Sequence, residues 1–353
     1  MKIYHFVLLF LMFVIVSGCP RKLPEEYRDG RFPDNPVNFE MLNSAYDDYN
    51  SALPIILHHY QFHFSSNRNS YGENFDITGQ GFNIIWDQEF GTLDIEKAQS
   101  DYDTNLYHLF NMINTNQNEF GPYELGYEYW QNQDTVVDRH LIVYSTGSDT
   151  AGFDSKIAWF DRMPYGGITN YHGPFDIKLI NSEFDDQYIS FYGKDFVTLS
   201  YDYENFKKIE QMYFCSNRTG NYDIFKVDKP EGMDIVEYLT QDTVLSPEKI
   251  SSLSSPSDDK CPFVNGNLMV FASDREGGFG GYDLYYSRYE NGEWSAPVNF
   301  GDRINTGSDE YRPITVNCEG FVNTLMIFSS NRPGGHGGFD LYYVGIPQKV
   351  YQY

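Results

Sequence analysis

Apolar and aromatic residues in this chain fall in short runs, separated by turns rich in Gly, Asn and Asp. The segment 259–300 shows the unit most plainly. Its pattern predicts strand A near Cys261–Val264, a turn at Asn265-Gly266 and strand B over Leu268–Ser273. A loop over Asp274–Gly281 follows, then strand C over Tyr282–Tyr289, a turn at Asn291-Gly292 and strand D over Trp294–Phe300. Both Asn-Gly pairs supply the positive φ angles that tight hairpins need.

The unit repeats. Phe64-Ser-Ser-Asn-Arg68, Phe214-Cys-Ser-Asn-Arg218, Phe271-Ala-Ser-Asp-Arg275 and Phe328-Ser-Ser-Asn-Arg332 each precede a polar or Gly-rich loop. Strands opening Phe75-Asp76, Tyr222-Asp223, Tyr282-Asp283 and Phe339-Asp340 come next. A degraded copy runs Tyr144-Ser-Thr-Gly-Ser148, then Phe153-Asp154, with Ser148 in the arginine's place. Upstream of each copy an Asn or Ser precedes an acid by five positions: Asn43/Asp48, Asn114/Glu119, Asn181/Asp186, Ser254/Asp259 and Asn305/Glu310. Repeats of this length, built from short strands, imply four-stranded units stacked radially.

Phe-Ser-Ser-Asn-Arg, a Gly-rich loop and Tyr-Asp-Leu-Tyr resemble the TolB-type, WD40-like β-propeller repeat over about residues 36–345. The fold expected is all-β: a propeller of five four-stranded blades, or six if an insertion hides a degenerate one. The last repeat lacks a strand D, while Pro36-Val37-Asn38-Phe39 matches Pro297-Val298-Asn299-Phe300. The N-terminal strand should therefore complete the last blade and close the ring.

Lys2, the apolar run Phe6–Val16 and Ser17-Gly18-Cys19 form a secretory signal that resembles a bacterial lipobox. The run is too short for a comfortable membrane span. The expected organisation is a lipoprotein signal peptide over 1–18, a lipid-anchored tether over 19–35 with Cys19 acylated, and one propeller domain over 36–353. A flexible tether of about 15 residues reaches ~20 Å on average. The residues after Cys19 lack both an aspartate at the second position and an early acidic run. That favours the periplasmic face of the outer membrane over the cell surface, in a lipoprotein resembling the Bacteroidetes type.

Composition narrows the chemistry. With 25 Lys and Arg against 50 Asp and Glu the net charge is −25, which argues against nucleic acid. Aromatic residues reach 18%, which suits strands. Arg68, Arg218, Arg275 and Arg332 are expected to pair within their hairpins with Asp76, Asp223, Asp283 and Asp340, since residues present in every unit serve the unit. The Gly-rich loops at Gly277–Gly281 and Gly334–Gly338 lack the Lys-Ser/Thr and helix of a phosphate loop. His59 and His63 can share a strand face, with His58 adjacent, but two histidines do not make a metal site. Asp101, Asp103 and Asn105 start like a calcium loop, yet Leu106 and Met112 stand where Gly and Glu are required. No cofactor or catalytic motif is found. Cys215, Cys261 and Cys318 are odd in number, so at least one thiol is free, and Cys215, in a serine's place, is expected to be buried.

Insertions in the first three blades are assigned to the C–D connection or strand D, and blades two and three also have long A–B segments around Gln131–Arg139 and Gly193–Lys208; A–B and C–D turns share one face. The expectation is a non-catalytic interaction module without enzymatic activity, using that face to bind an envelope protein of an outer-membrane assembly, transport or secretion complex. The alternative is a glycan-binding or glycan-cleaving propeller, which requires acids lining the channel outside the repeat pattern.

Overall fold

The computed structural model describes residues 29–52, 55–56, 59–98, 103–163, 167–198 and 200–348. The signal segment, Cys19, His58 and Asp101 lie outside them. Five antiparallel sheets form, each one blade. Blade four keeps the minimal pattern: Asp259–Asn265, Leu268–Ser273, Asp283–Glu290 and Val298–Asn299 as strands A to D, with a short Glu293–Trp294 pairing at the C–D turn. Blade five is Glu310–Val316, Thr324–Ser330 and Asp340–Ile346, and its fourth strand is Val37–Asn38 from the other end of the chain. Val37 lies opposite Tyr343 and Asn38 opposite Tyr342, so the ring is closed as the sequence predicts. Phe39 seals the joint, with its ring centroid 5.0 Å from Tyr343 and 5.3 Å from Phe82.

The domain starts earlier than residue 36. Phe32 is fully buried and stacks on Phe321 at 4.1 Å, and residues 30–33 hydrogen-bond to Gly320, Val322, Asn323 and Gly345. Gly30 is required there, because a Cβ would meet the Phe321 ring at 2.7 Å.

The insertions also differ in part from expectation. In blade three the A–B connection carries helix α2 (Tyr203–Lys207) and the C–D connection α3 (Ile235–Leu239). The added residues of blade one instead form α1 (Thr104–Ile113) after strand D. Leu106, Leu109, Phe110 and Ile113 of that helix pack against Ile77 of blade one and Ile142, Tyr144, Ala158 and Phe160 of blade two. An amphipathic helix is stable here because neighbouring blades bury its apolar stripe. Asp103 caps it, accepting from Asn105 N at 2.8 Å, so these two members of the calcium-like triplet begin a helix. Blade two has the longest strands, Asn118–Asn132 and Thr135–Ser148.

Candidate functional site

The repeated residues stitch the blades. Strand B's serine lies between two acids, as in Asp48–Ser66–Asp76. The expected pairing of arginine with the strand C aspartate is not what forms. Arg68 and Arg218 reach Asp48 and Asp186 at 2.5 Å, Arg332 reaches Glu310 at 3.0 Å, and Arg275 bonds Asp259. The same guanidinium groups donate to the carbonyls of Leu42, Ile180, Leu253 and Ile304. The strand C acids are already taken by their surroundings. Asp283 accepts from Phe279 N at 2.7 Å, Asp340 from His336 N at 2.5 Å, and Asp223 from Lys249 Nζ at 2.6 Å. Asp76 is half-buried, which raises its carboxyl against the effect of Asn69.

The residue before each strand A acid binds the preceding blade. Asp47, Asn118, Asp185, Asp258 and Asp309 accept the backbone N–H of Phe339, Phe75, Phe153, Tyr222 and Tyr282 at 2.7–3.1 Å. Two residues after each acid, strand A bulges. Asn50, Gly121, Tyr188, Cys261 and Arg312 all have φ between +46° and +59°, and the ladder register shifts at each. Five equivalent bulges bring these residues to the propeller axis. Arg312 of blade five donates to Pro122 O of blade two at 3.3 Å and lies 5.4 Å from the ring of Tyr188 in blade three. Gly121 gives way to that ring, since a Cβ there would stand 2.3 Å from it.

Above this floor a cavity of about 600 Å³ opens on the face of the B–C and D–A loops. Three rings of side chains line it: Tyr49, Phe120, Gln187, Lys260 and Tyr311 after the acids; Phe75, Phe153, Tyr222, Tyr282 and Phe339 at the start of strand C; and Asn118, Asp185 and Asp309 before the acids. Glu73, Asp149 and Tyr188 complete the lining. The aromatic rings brace one another, with Tyr49 5.5 Å from Phe339 and 4.9 Å from Phe75, and Tyr282 5.2 Å from Tyr311. Lys260 Nζ sits 3.8 Å from the Tyr222 ring centroid, a cation held by a π-face. Asp185 and Asp309 are committed to backbone N–H groups, whereas Glu73 and Asp149 stand exposed at the rim.

Beneath the mouth, Arg312 is fully buried, and its Nε and Nη1 have no hydrogen-bond partner among the described residues. Burial lowers the pKa of its guanidinium. Burial raises the thiols of Cys215 and Cys261, the second to about 11, so both are inert. Cys215, Cys261 and Cys318 are buried, and none of the three forms a disulfide among the described residues. His63 is buried between blades one and two, with its Nδ1 2.5 Å from Glu124; His140 Nε2 lies 2.7 Å from the other carboxylate oxygen. One glutamate thus bridges two imidazoles. No group of three or more His, Cys, Asp or Glu suited to a metal ion occurs among the described residues. The side chain of His59 lies outside them.

The funnel was missed in the sequence because its members are not the repeated residues but their neighbours. The insertions marked the opposite face, whereas the concavity with convergent polar groups lies here.

No protein-family model matches the chain, and no curated protein does. Among solved structures it is similar to an exo-β-1,3-galactanase from Clostridium thermocellum: 11% identity, TM-score 0.43, covering 87% of this chain and 60% of that one. An exo-1,5-α-L-arabinanase from a bovine ruminal metagenomic library gives 8% identity and a TM-score of 0.46, with 86% and 94% covered. An α-L-arabinofuranosidase from Lactobacillus brevis gives 6% and 0.41, with 86% and 90% covered. The chain thus spans three fifths of the galactanase and nearly all of the other two. The TolB-type assignment is corrected by these findings: the Phe-Ser-Ser-Asn-Arg motif carries blade stitching, and no family match accompanies it. The expectation of a non-catalytic, non-enzymatic interaction module working through the A–B and C–D face is corrected with it: the residues converge instead on a concave, carboxylate-bearing funnel on the opposite face.

Proposed function

We propose that this protein is a carbohydrate-active propeller that binds a glycan in the funnel and cleaves it there. The observation that carries the reading is the funnel itself: nine aromatic rings around carboxylates and one ammonium group, in about 600 Å³. A sugar ring presents a C–H face and a rim of hydroxyls. Tyr49, Phe120, Tyr282 and Tyr311 offer flat faces for the first, and Gln187 and Lys260 offer polar atoms for the second. Glycosidic cleavage needs two carboxyl groups flanking the bond. Glu73 and Asp149 fit that role, because they line the cavity from blades one and two without being stitched into the backbone.

The test is hydrolysis of a panel of aryl glycosides and oligosaccharides, with binding to immobilised glycans measured in parallel. Glu73→Gln and Asp149→Asn should each lower kcat at least 100-fold while binding persists, and Tyr49→Ala with Tyr311→Ala should lose binding. Binding without cleavage overturns the hydrolytic half of the proposal. Absence of both overturns all of it.

A further inference from the structure

We propose that the face opposite the funnel rests on the lipid bilayer, so that the anchor and the fold together point the funnel away from the membrane. The argument starts from where the chain enters the ring. Residues 30–33 are clamped to the A–B turn of blade five: Gly30 N donates to Gly320 O at 2.6 Å, Val322 N to Gly30 O at 2.9 Å, and Phe32 is sealed on Phe321. That turn lies at the far end of strand A from Asp309 and Tyr311, hence on the face opposite the cavity. Between Cys19, the expected acylation site, and Gly30 there are 30 − 19 = 11 residue steps, which span at most ~40 Å. A lipid on Cys19 would hold this face, and not the funnel, next to the bilayer.

The second observation is what that face exposes. Ile85 and Phe90 flank the C–D turn of blade one, Trp130 the A–B hairpin of blade two, Met163 and Ile168 its C–D turn, and Val322 the A–B turn of blade five. Phe90 and Trp130 are each 68% exposed and Ile168 73%. Blades five, one and two are consecutive around the ring, and Trp86 beside the blade-one turn meets Phe321 at 6.2 Å. The apolar arc therefore runs from the clamp on blade five across blades one and two. Its tips also carry Asp87, Glu89 and Asp134, so contact comes from insertion of aromatic and aliphatic side chains and not from attraction to anionic lipid. Trp is the side chain best suited to an interface, having an apolar body and a polar N–H.

The experiment uses the full lipidated chain in phosphatidylcholine vesicles, with ordinary or brominated acyl chains, and reads tryptophan fluorescence. The wild-type signal should be quenched by the brominated lipid. Trp130→Phe should remove at least half of that quenching with an unchanged melting curve. Trp294→Phe, at a buried position on blade four, should leave it in place. Quenching that survives Trp130→Phe, or none at all in vesicles that hold the protein, overturns the proposal and leaves that face to a protein partner. A chain that does not partition with vesicles overturns it together with the anchor. Neither result bears on glycan cleavage, which is measured separately.

Discussion

Glu119 has no arginine because Ser148 occupies the position from which one would reach it. In the other four blades a guanidinium meets the strand A acid. In blade two the carboxylate relies on Thr115 and Thr146. Burial is the largest influence and pushes its pKa up to about 7 from 4.5. Between about pH 4.5 and 7 the unfolded chain therefore releases a proton that the folded chain retains. The site's contribution to stability is full below about pH 4.5 and lost as pH rises through about 7. Ser148→Arg should flatten this fall, raising Tm at pH 8 and leaving it nearly unchanged at pH 4. Thermal melts at pH 4, 6 and 8 check it, and an equal shift at all three would remove Glu119 from the explanation.

Arg218→Ala leaves Asp186 buried without its cation. Removing one partner of a buried pair costs roughly 3–5 kcal/mol. The guanidinium here is partly exposed, so the expected loss is toward the lower end, about 3 kcal/mol. Adding Asp186→Asn should recover part of it, because an amide tolerates burial better than a lone carboxylate. Urea titration of the single and double variants gives both numbers.

Glu124 is subject to opposite influences. Burial raises its carboxyl, but His63 and His140 outweigh burial and bring it down to about 2. A lowered carboxyl stabilises the fold above its unfolded pKa, and that stability is lost as pH falls through the folded value. Glu124→Gln should therefore be most costly near pH 7, with the gap from wild type closing as pH drops from about 4.5 toward 2. Denaturant midpoints across that range measure it; a gap that does not narrow would mean packing, not charge, dominates the site.

Arg312 is a fully buried cation without a carboxylate partner among the described residues. A buried cation without a counter-ion carries a desolvation cost that an apolar side chain of similar volume does not. Arg312→Met should therefore raise Tm. If glycan binding falls at the same time, the residue is retained for the ligand at the expense of the fold.

Much of the architecture was legible. Asn-Gly turns and the recurring Phe-Ser-Ser-Asn-Arg defined the blades, and the match of Pro36–Phe39 to Pro297–Phe300 located ring closure. The arginine's partner was not legible, because the strand B serine has an acid on each side and spacing along the chain does not say which is already satisfied. Helix α1 was hidden because a length difference does not say which connection carries it. The funnel escaped for a related reason. Tyr49, Phe120, Gln187, Lys260 and Tyr311 occupy one equivalent position, immediately after each repeated acid. Their differing identities looked like noise within a repeat, although a position that is structurally fixed and chemically free is where a repeat protein can differentiate.

Ring closure by Val37–Asn38 has a consequence for biogenesis. Its partners, Tyr342 and Tyr343, are made some 300 residues later. Each inner blade can zip locally as it emerges from the ribosome, but the first strand must wait, unpaired, for the last blade. Until then the nascent chain carries open sheet edges at both ends. Conditions that slow synthesis or delay release should thus favour pairing between molecules, with the opening strand of one chain completing the final blade of another.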